Sequence, residues 1–577
     1  MGFETHALIP TLAESLTLVS WWKPVLFVLP LLAWAWAVST VCDKHAARFY
    51  LEREMWNYIH CAAGLLALLA VMFMPSLGEG GSLTWIVSFF VFCAILASSV
   101  VAYVVVANRD ERVPEGGKVS FELSKIASLA EGKGKKKAKG KAGTSVLVFR
   151  RMDKSAVDVP ATDSPEFEVR LAAENMLIKA LDIRSARIEI APSAKDAYHI
   201  LFNVDGVKTP GETMPAANGV KLIDFWKASA KLDVADRRKK QASDLTVERG
   251  SAKNKLHIET SGGQSGQKLT VLIDPEQQVR KTPEQIGWTP EQIEVVRNWS
   301  TSRGGTVVIS ALPEGGRTTA LYTVMKMHDA YTNNVQTVEM EIEDALEGIR
   351  QNKWDAMSEG PDFATLVRSI LRRDPDIVGV AEIPDPQTAK EISKADPDKC
   401  RVYASIVAES AVGAIQAWVR LIGDADVAAK TLQGVQAEKL LRKLCINCKQ
   451  AYQPQPEVLK KLGLPPDKVK QLFKKGGEVL VKNKPETCPV CQGTGYLQRD
   501  GAFEVFNIDD AAREMIRSQN WAGLKAELRK GGLPSIQQAA LRKAIDGVTS
   551  VEEVLRITAE ATKAAPSAPK QPAKPNA

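Results

Sequence analysis

The chain has 577 residues, 45% of them hydrophobic, and 75 lysines and arginines against 68 aspartates and glutamates give it a formal net charge of +7. That length exceeds one ordinary domain, and that apolar content excludes an intrinsically disordered protein. The positive excess is concentrated in a basic tether and a lysine-rich lobe, so it does not by itself argue for nucleic acid.

The first hundred residues carry three apolar stretches, Val25 to Cys42, Tyr58 to Met74 and Leu83 to Ala107. Each is near the length needed to cross a bilayer, and the expectation is three spans. The first two are short, which leaves an interfacial or re-entrant segment open for one of them. No Lys or Arg precedes Lys23 and no small-residue cleavage pattern follows, so a cleaved signal peptide is not expected. Lys44, Arg48 and Arg53 lie between the first two stretches, Arg109 and Arg112 follow the third, and the turn from Pro75 to Ser82 has no basic residue. The positive-inside rule then puts the N-terminus outside and the bulk of the chain in the cytosol. Trp21, Trp22, Trp56 and Trp85 read as an aromatic belt, and His60 as a tolerated interfacial residue. Cys42, Cys61 and Cys93 are expected to pack as small hydrophobes.

The run from Glu131 to Lys141 is a low-complexity basic tether suited to anionic headgroups, with no interleaved aromatics of the kind that favour single-strand binding. Beyond it, Pro165 to Leu181 places Val169, Ala172, Ala173, Met176, Leu177 and Ala180 on one helical face, and Ala186 to Ile190 alternates as a strand does. This reads as an α/β domain.

The stretch Ser310-Ala-Leu-Pro-Glu-Gly-Gly-Arg-Thr-Thr-Ala-Leu-Tyr322 follows the apolar run Val307-Val308-Ile309, where a phosphate-binding loop would join a strand to a helix. Against the pattern G-x-x-x-x-G-K-S/T, Ala311 stands for the first Gly, Gly316 for the second, Arg317 for Lys and Thr318 for Ser/Thr. Gly315, Gly316, Arg317, Thr318 and Thr319 are the candidate nucleotide-binding residues. Ala311 adds a Cβ where positive φ or close backbone approach is usual, and Arg317 replaces a compact ammonium with a planar fork. Glu314 puts a carboxylate in the cradle, a repulsion of roughly 1 kcal/mol at 4 Å in bulk water and about 4 at an effective dielectric near 20. These residues alone leave a plain strand-loop-helix connection equally open.

Cys445-Ile-Asn-Cys448 and Cys488-Pro-Val-Cys491 are paired C-x-x-C knuckles. Four thiolates saturate a tetrahedral zinc ion, so the expected site is structural, pinning an insertion of Lys-rich helices. Two disulfides or a redox pair are the alternatives. The segments Ile508 to Ile516, Ile536 to Ile545 and Val551 to Ile557 read as amphipathic helices, and Ala564 to Ala577 as a disordered tail.

From about Pro165 to Thr558 the chain resembles the type II secretion and type IV pilus assembly ATPases. Ala230-Lys-Leu-Asp-Val-Ala-Asp-Arg-Arg238 is similar to that family's A-x-L-D-I-A-E-R-R, Val204-Asp-Gly-Val207 to I-D-G-V, and Val367-Arg-Ser-Ile-Leu-Arg-Arg-Asp-Pro-Asp-Ile377 to L-R-S-I-L-R-Q-D-P-D-I. Trp288 to Ile293 leads into the loop as the family's equivalent does. The resemblance implies a RecA-like P-loop motor, an ATP- and Mg²⁺-dependent activity, a hexameric ring and an inner-membrane platform partner. It implies that Glu382, ending Val378-Gly-Val-Ala-Glu382, polarises the attacking water, and that Glu339 and Glu343 are survivors of the acidic box E-D-P-x-E. It also exposes losses. Cys400 and Val407 stand where the family has histidines, and Asn203 and Asp244 where it has arginines.

The resulting division is 1–112 membrane region, 113–143 linker, 144–280 smaller α/β domain, 281–440 degenerate RecA-like domain, 441–500 tetracysteine subdomain, 501–562 helical region and 563–577 tail. Losses at four boxes favour a membrane-anchored homologue impaired in hydrolysis, acting as an assembly or regulatory subunit in a homo-hexamer or in a mixed ring with an active paralogue. An active motor and weak nucleotide binding without turnover stay open. A nucleic-acid role has no support beyond lysines.

Overall fold

The computed structural model describes residues 22–110, 112–113, 119 and 146–563, apart from 50, 75–81, 195, 251, 303, 356–359, 466, 468 and 482–483. The basic tether, Trp21, the turn before Ser82 and the tail lie outside the described residues. The chain forms two compact units, 1–135 and 136–577.

In the first unit three helices are long and apolar enough to cross a membrane: Val25–Phe49, Arg53–Met72 and Leu83–Arg109, of 25, 20 and 27 residues. The first two are therefore not short. The first continues past Cys42 because a π-turn, Val38–Cys42, carries it into the helix Asp43–Phe49. His60 is only 2% exposed. Its Nδ1 lies 3.3 Å from Ser99 Oγ, which also accepts from Trp34 Nε1 at 3.0 Å, so His60 packs between helices. Trp56 is buried against Tyr103, with ring centroids 5.1 Å apart. Cys42 is buried as expected, whereas Cys61 is exposed.

The second unit begins with a seven-stranded sheet in the order β1-β5-β6-β7-β2-β3-β4. Its strands are β1 Val148–Arg151, β2 Arg187–Ala194, β3 Ala197–Val204, β4 Val207–Pro215, β5 Gln241–Arg249, β6 Ala252–Gly263 and β7 Gly266–Ile273, all antiparallel to their neighbours. Leu269, Val271 and Ile273 alternate inward along β7, which is how a sheet buries one face only. That face packs on the helices Pro165–Asp182 and Ala216–Ser229. Ser164 caps the first of these by accepting from Phe167 N at 3.3 Å, and Pro165 fills its first turn. The buried face differs from the expected one. Ala172 is exposed, and Phe167, Arg170 and Glu174 turn inward. Arg170 Nε meets Glu174 Oε1 at 2.9 Å with both side chains 1% exposed, and the remaining polar atoms are met by Leu147 O and Val146 N. Glu174 thus closes on the strand that opens the domain.

The second sheet runs β10-β9-β11-β12-β8-β13-β18. Its members are β8 Gly305–Ala311, β9 Val335–Glu339, β10 Arg350–Lys353, β11 Ile377–Val380, β12 Arg401–Val407, β13 Leu432–Leu444 and β18 Tyr496–Asn507. All pair in parallel except β18, which is antiparallel to β13. Every residue of β8 is buried, as a central parallel strand covered on both faces requires. The C-terminal ends of β8, β9, β11 and β12 open on one edge, the place where open α/β sheets take ligands.

Two expected boundaries cut through strands. β13 and β18 form one long ribbon, so the tetracysteine lobe between them is an insertion at its tip rather than a domain starting at 441 and ending at 500. The lobe is not built of Lys-rich helices: among its described residues are one short helix, Pro456–Lys461, and two small antiparallel ribbons, β14 Gln450–Tyr452 with β15 Leu472–Lys474 and β16 Glu478–Val481 with β17 Lys484–Thr487. The C-terminal helices Asp510–Arg517, Trp521–Lys530, Ile536–Ile545 and Val551–Lys563 include one the sequence reading missed, at 521–530. Leu524, Ala540 and Val554 share a core with Trp418 and Val435 of the sheet region, so these helices are part of that layer.

Candidate functional site

The loop after β8 ends at the helix Arg317–Met325, whose N-cap is Gly316 with φ +106°. A Cβ on Gly315 would sit 2.7 Å from Leu312 O, so both glycines are required by the turn. The strained residue is not Ala311, which lies buried at the strand end, but Glu314, with φ +60°. Its carboxylate does not stand free in the cradle. Arg187 Nη1 on β2 donates to Glu314 Oε1, Asn203 Nδ2 on β3 donates to Oε2 at 3.1 Å, and Arg499 Nη1 on β18 donates to the Glu314 carbonyl at 3.4 Å.

Behind the loop lies Glu438, 2% exposed, on β13. A Cβ on Gly316 would meet its Oε1 at 3.1 Å. Burial pushes this carboxyl well above the usual range, and the nearby Arg317 charge opposes that shift. Arg317 therefore has an acidic neighbour inside the protein. Thr318 Oγ1 donates to Glu343 Oε1 at 3.0 Å. Burial raises the Glu343 pKa, the hydrogen bond from Thr318 lowers it, and the charges of Glu341 and Glu339 add to the rise. Thr319 lies in the same turn, its carbonyl accepting from Thr323 Oγ1 at 2.7 Å.

Glu339 ends β9 with no exposure. Tyr322 OH donates to it at 2.5 Å, Gln351 Nε2 at 3.0 Å, and Thr337 Oγ1 makes a third bond. Both its oxygens are thus engaged by the protein, and the acidic residue that meets Thr318 is Glu343. Glu382 follows β11, partly exposed, with no hydrogen bond or ion pair among the described residues. Gly315, Gly316, Arg317, Thr318 and Thr319 are therefore brought into one turn, Glu339 is closed off beside it, and Glu382 stays open at the strand end.

The positions lacking family arginines have other duties. Asn203 joins the contact to Glu314. Asp244 Oδ1 lies 2.5 Å from His257 Nδ1, and His257 Nε2 faces Glu341 Oε1 at 3.1 Å. Hydrogen bonds to Asp244 and Glu341 hold the imidazole protonated, with its pKa raised to about 9. The first sheet is tied across this ring to the loop after β9, and Arg280, which caps the helix Pro275–Val279, forks onto Asp344 of the same loop at 2.7 and 2.8 Å. Of the histidine-box positions, Cys400 is buried, its thiol pushed up to about 12 by burial, and Val407 is exposed at the end of β12. Sequence reading missed Arg187, His257, Arg499 and Glu438. Their partners lie far away along the chain, and no local pattern marks them.

The four sulfurs of Cys445, Cys448, Cys488 and Cys491 lie within 4.8 Å of one another, all buried. Cross-knuckle separations are 3.9 Å for Cys445 to Cys488 and 3.6 Å for Cys448 to Cys491. Four thiolates about 2.3 Å from a tetrahedral zinc stand about 3.8 Å apart, so the donor set fits that ion. The surroundings fit too: Gly477 N donates to Cys448 Sγ, Gly495 N to Cys491 Sγ and Asn447 Nδ2 to Cys488 Sγ, each at 3.2 Å. The cysteines are free of disulfides.

A family model described as type II/IV secretion system protein matches residues 162–556. Type II secretion system protein E of Pseudomonas aeruginosa is 29% identical over 361 residues, covering 63% of this chain and 70% of that protein. Type II secretion system ATPase E of Vibrio cholerae is 28% identical over 386 residues, covering 67% and 74%. Type IV pilus assembly ATPase PilB of Thermus thermophilus is 27% identical over 442 residues, covering 76% of this chain and 46% of its own.

Proposed function

Because the chain belongs to the type II/IV secretion system protein family, we propose that it is a membrane-anchored subunit of a protein-secretion or pilus-assembly machine, impaired in ATP hydrolysis and acting through assembly or regulation. The observation that carries this reading is the engagement of the phosphate- and metal-handling groups by the protein itself. Thr318 is bonded to Glu343, Glu339 is sealed under Tyr322, Thr337 and Gln351, and Glu314 is tied to the preceding domain. Were Mg-nucleotide bound, Gly315, Gly316 and Arg317 would meet its phosphates, and Thr318 and Glu339 its metal; the donor set as arranged fits that ligand poorly.

In this reading the three apolar helices anchor the chain in the bacterial inner membrane in cis, N-terminus outside, with the basic tether near anionic lipid. The remainder joins a ring, as a homo-hexamer or beside an active paralogue, under a membrane platform protein. Zinc at the four cysteines shapes a lobe without an open coordination position. A working motor is the second reading, favoured by Glu382, whose partly exposed carboxylate follows β11 with no hydrogen bond or ion pair among the described residues. Steady-state Mg-ATP hydrolysis by the full chain in lipid nanodiscs, beside Arg317→Lys and Glu382→Gln, separates them. The proposal expects turnover no different from Glu382→Gln; turnover that Glu382→Gln abolishes establishes the motor instead.

A further inference from the structure

Three donors from two sheets converge on one loop residue. Arg187 and Asn203 are cross-strand partners in the β2–β3 register, so their side chains leave the same face side by side and reach the two carboxylate oxygens of Glu314, 127 and 111 residues away. Arg499 arrives from the last strand of the other sheet and takes the carbonyl of the same residue. It is drawn from a buried setting that lowers its pKa, with Asp205 and Glu314 as opposing charges. Among the described residues Arg187 also lies 3.7 Å from Glu189, a carboxylate that already faces Lys208 at 3.2 Å and Lys268 at 3.4 Å, and its charge reaches Glu343 beside Thr318. A guanidinium fork beside a carboxamide, with a second guanidinium behind, matches a carboxylate or a phosphate equally well.

Resting on the reading above, we infer that Arg187, Asn203 and Arg499 form an anion clasp at the tip of the loop, that Glu314 is its resident ligand, and that a polyphosphate takes its place once that carboxylate is neutralised. The ligand class follows from the neighbours. Gly315, Gly316 and Arg317 open the nine-residue helix directly behind the clasp, so an anion longer than one phosphate reaches both. Glu314 repels such an anion and also competes for its donors. The weak fit of the loop is thus enforced by one side chain.

The test is calorimetric titration of inorganic pyrophosphate into the full chain in nanodiscs, comparing the native sequence with Glu314→Gln and Glu314→Gly, each alone and with Arg187→Ala. Gln keeps the shape, and Gly accepts the left-handed backbone without strain. The clasp predicts a gain of about tenfold or more in affinity for both Glu314 variants, the scale of one like charge removed nearby, and loss of that gain when Arg187 is absent. No gain in either variant, or a gain that survives Arg187→Ala, overturns it. Either failure leaves the hydrolysis assay on the native chain as the separate judge of the proposed function.

Discussion

The tetracysteine lobe and the loop after β8 hold the same kind of information, side chains brought from distant positions to one point, yet they use it in opposite ways. In the lobe, Gly477 N, Gly495 N and Asn447 Nδ2 donate to sulfurs that face one another across a four-thiol cluster. In the loop, Thr318, Glu314 and Glu339 each have a protein partner already. A site kept for a ligand leaves its donor atoms facing one another; a site turned to structural use distributes them among its neighbours.

The largest effect expected from this contrast is at the lobe. Removing metal with a chelator, or Cys488→Ser, should unfold it, because structural thiolate zinc sites contribute about 10 kcal/mol or more to folding. Metal content by mass spectrometry and proteolysis between Cys445 and Cys491 read this directly, and a metal-free lobe that resists the protease breaks the comparison on its first side. Next is Glu339→Ala. It leaves buried donors from Tyr322, Thr337 and Gln351 without their acceptor, a loss of about 3 kcal/mol in urea unfolding. A variant as stable as the native chain would return Glu339 to an open, ligand-facing role.

Smaller effects sharpen the loop side. Thr318→Val should cost about 1 kcal/mol through the lost bond to Glu343. Should it instead change only nucleotide affinity, Thr318 is a ligand-binding hydroxyl after all. The smallest is a pH effect at His257. Its folded pKa, about 9, lies above the ordinary 6.5, so its ties to Asp244 and Glu341 contribute fully below 6.5 and fade as pH rises through 9. Solvent screens both carboxylates, which are about half exposed, so the effect is modest. Hydrogen-exchange protection at 340–344 should fall over that range, and His257→Gln should flatten the dependence.

Much of this was legible in the chain itself. Val307-Val308-Ile309 before Glu314-Gly-Gly316 marked a strand and its turn, and paired C-x-x-C spacing marked the cluster, because both signals are local. The second unit's first domain was also readable, from alternation in Ala186 to Ile190 and the helix after Ser164. What escaped depends on long-range placement. No local pattern marks Arg187, and only the β2–β3 register and the meeting of two sheets bring it to Glu314. Ala311 was misjudged because the pattern gives positions without dihedral angles; the left-handed residue is three places on. Lysines in the lobe suggested helices because Lys favours them locally, whereas the β13–β18 ribbon and the cysteine pairs dictate short ribbons instead.

Native mass spectrometry of the full chain, released from nanodiscs after incubation with zinc and Mg-ATP, reads both sites in one spectrum. The account predicts a chain that retains a single zinc ion and no nucleotide. A chain that carries nucleotide, or that keeps no zinc while folded, contradicts it.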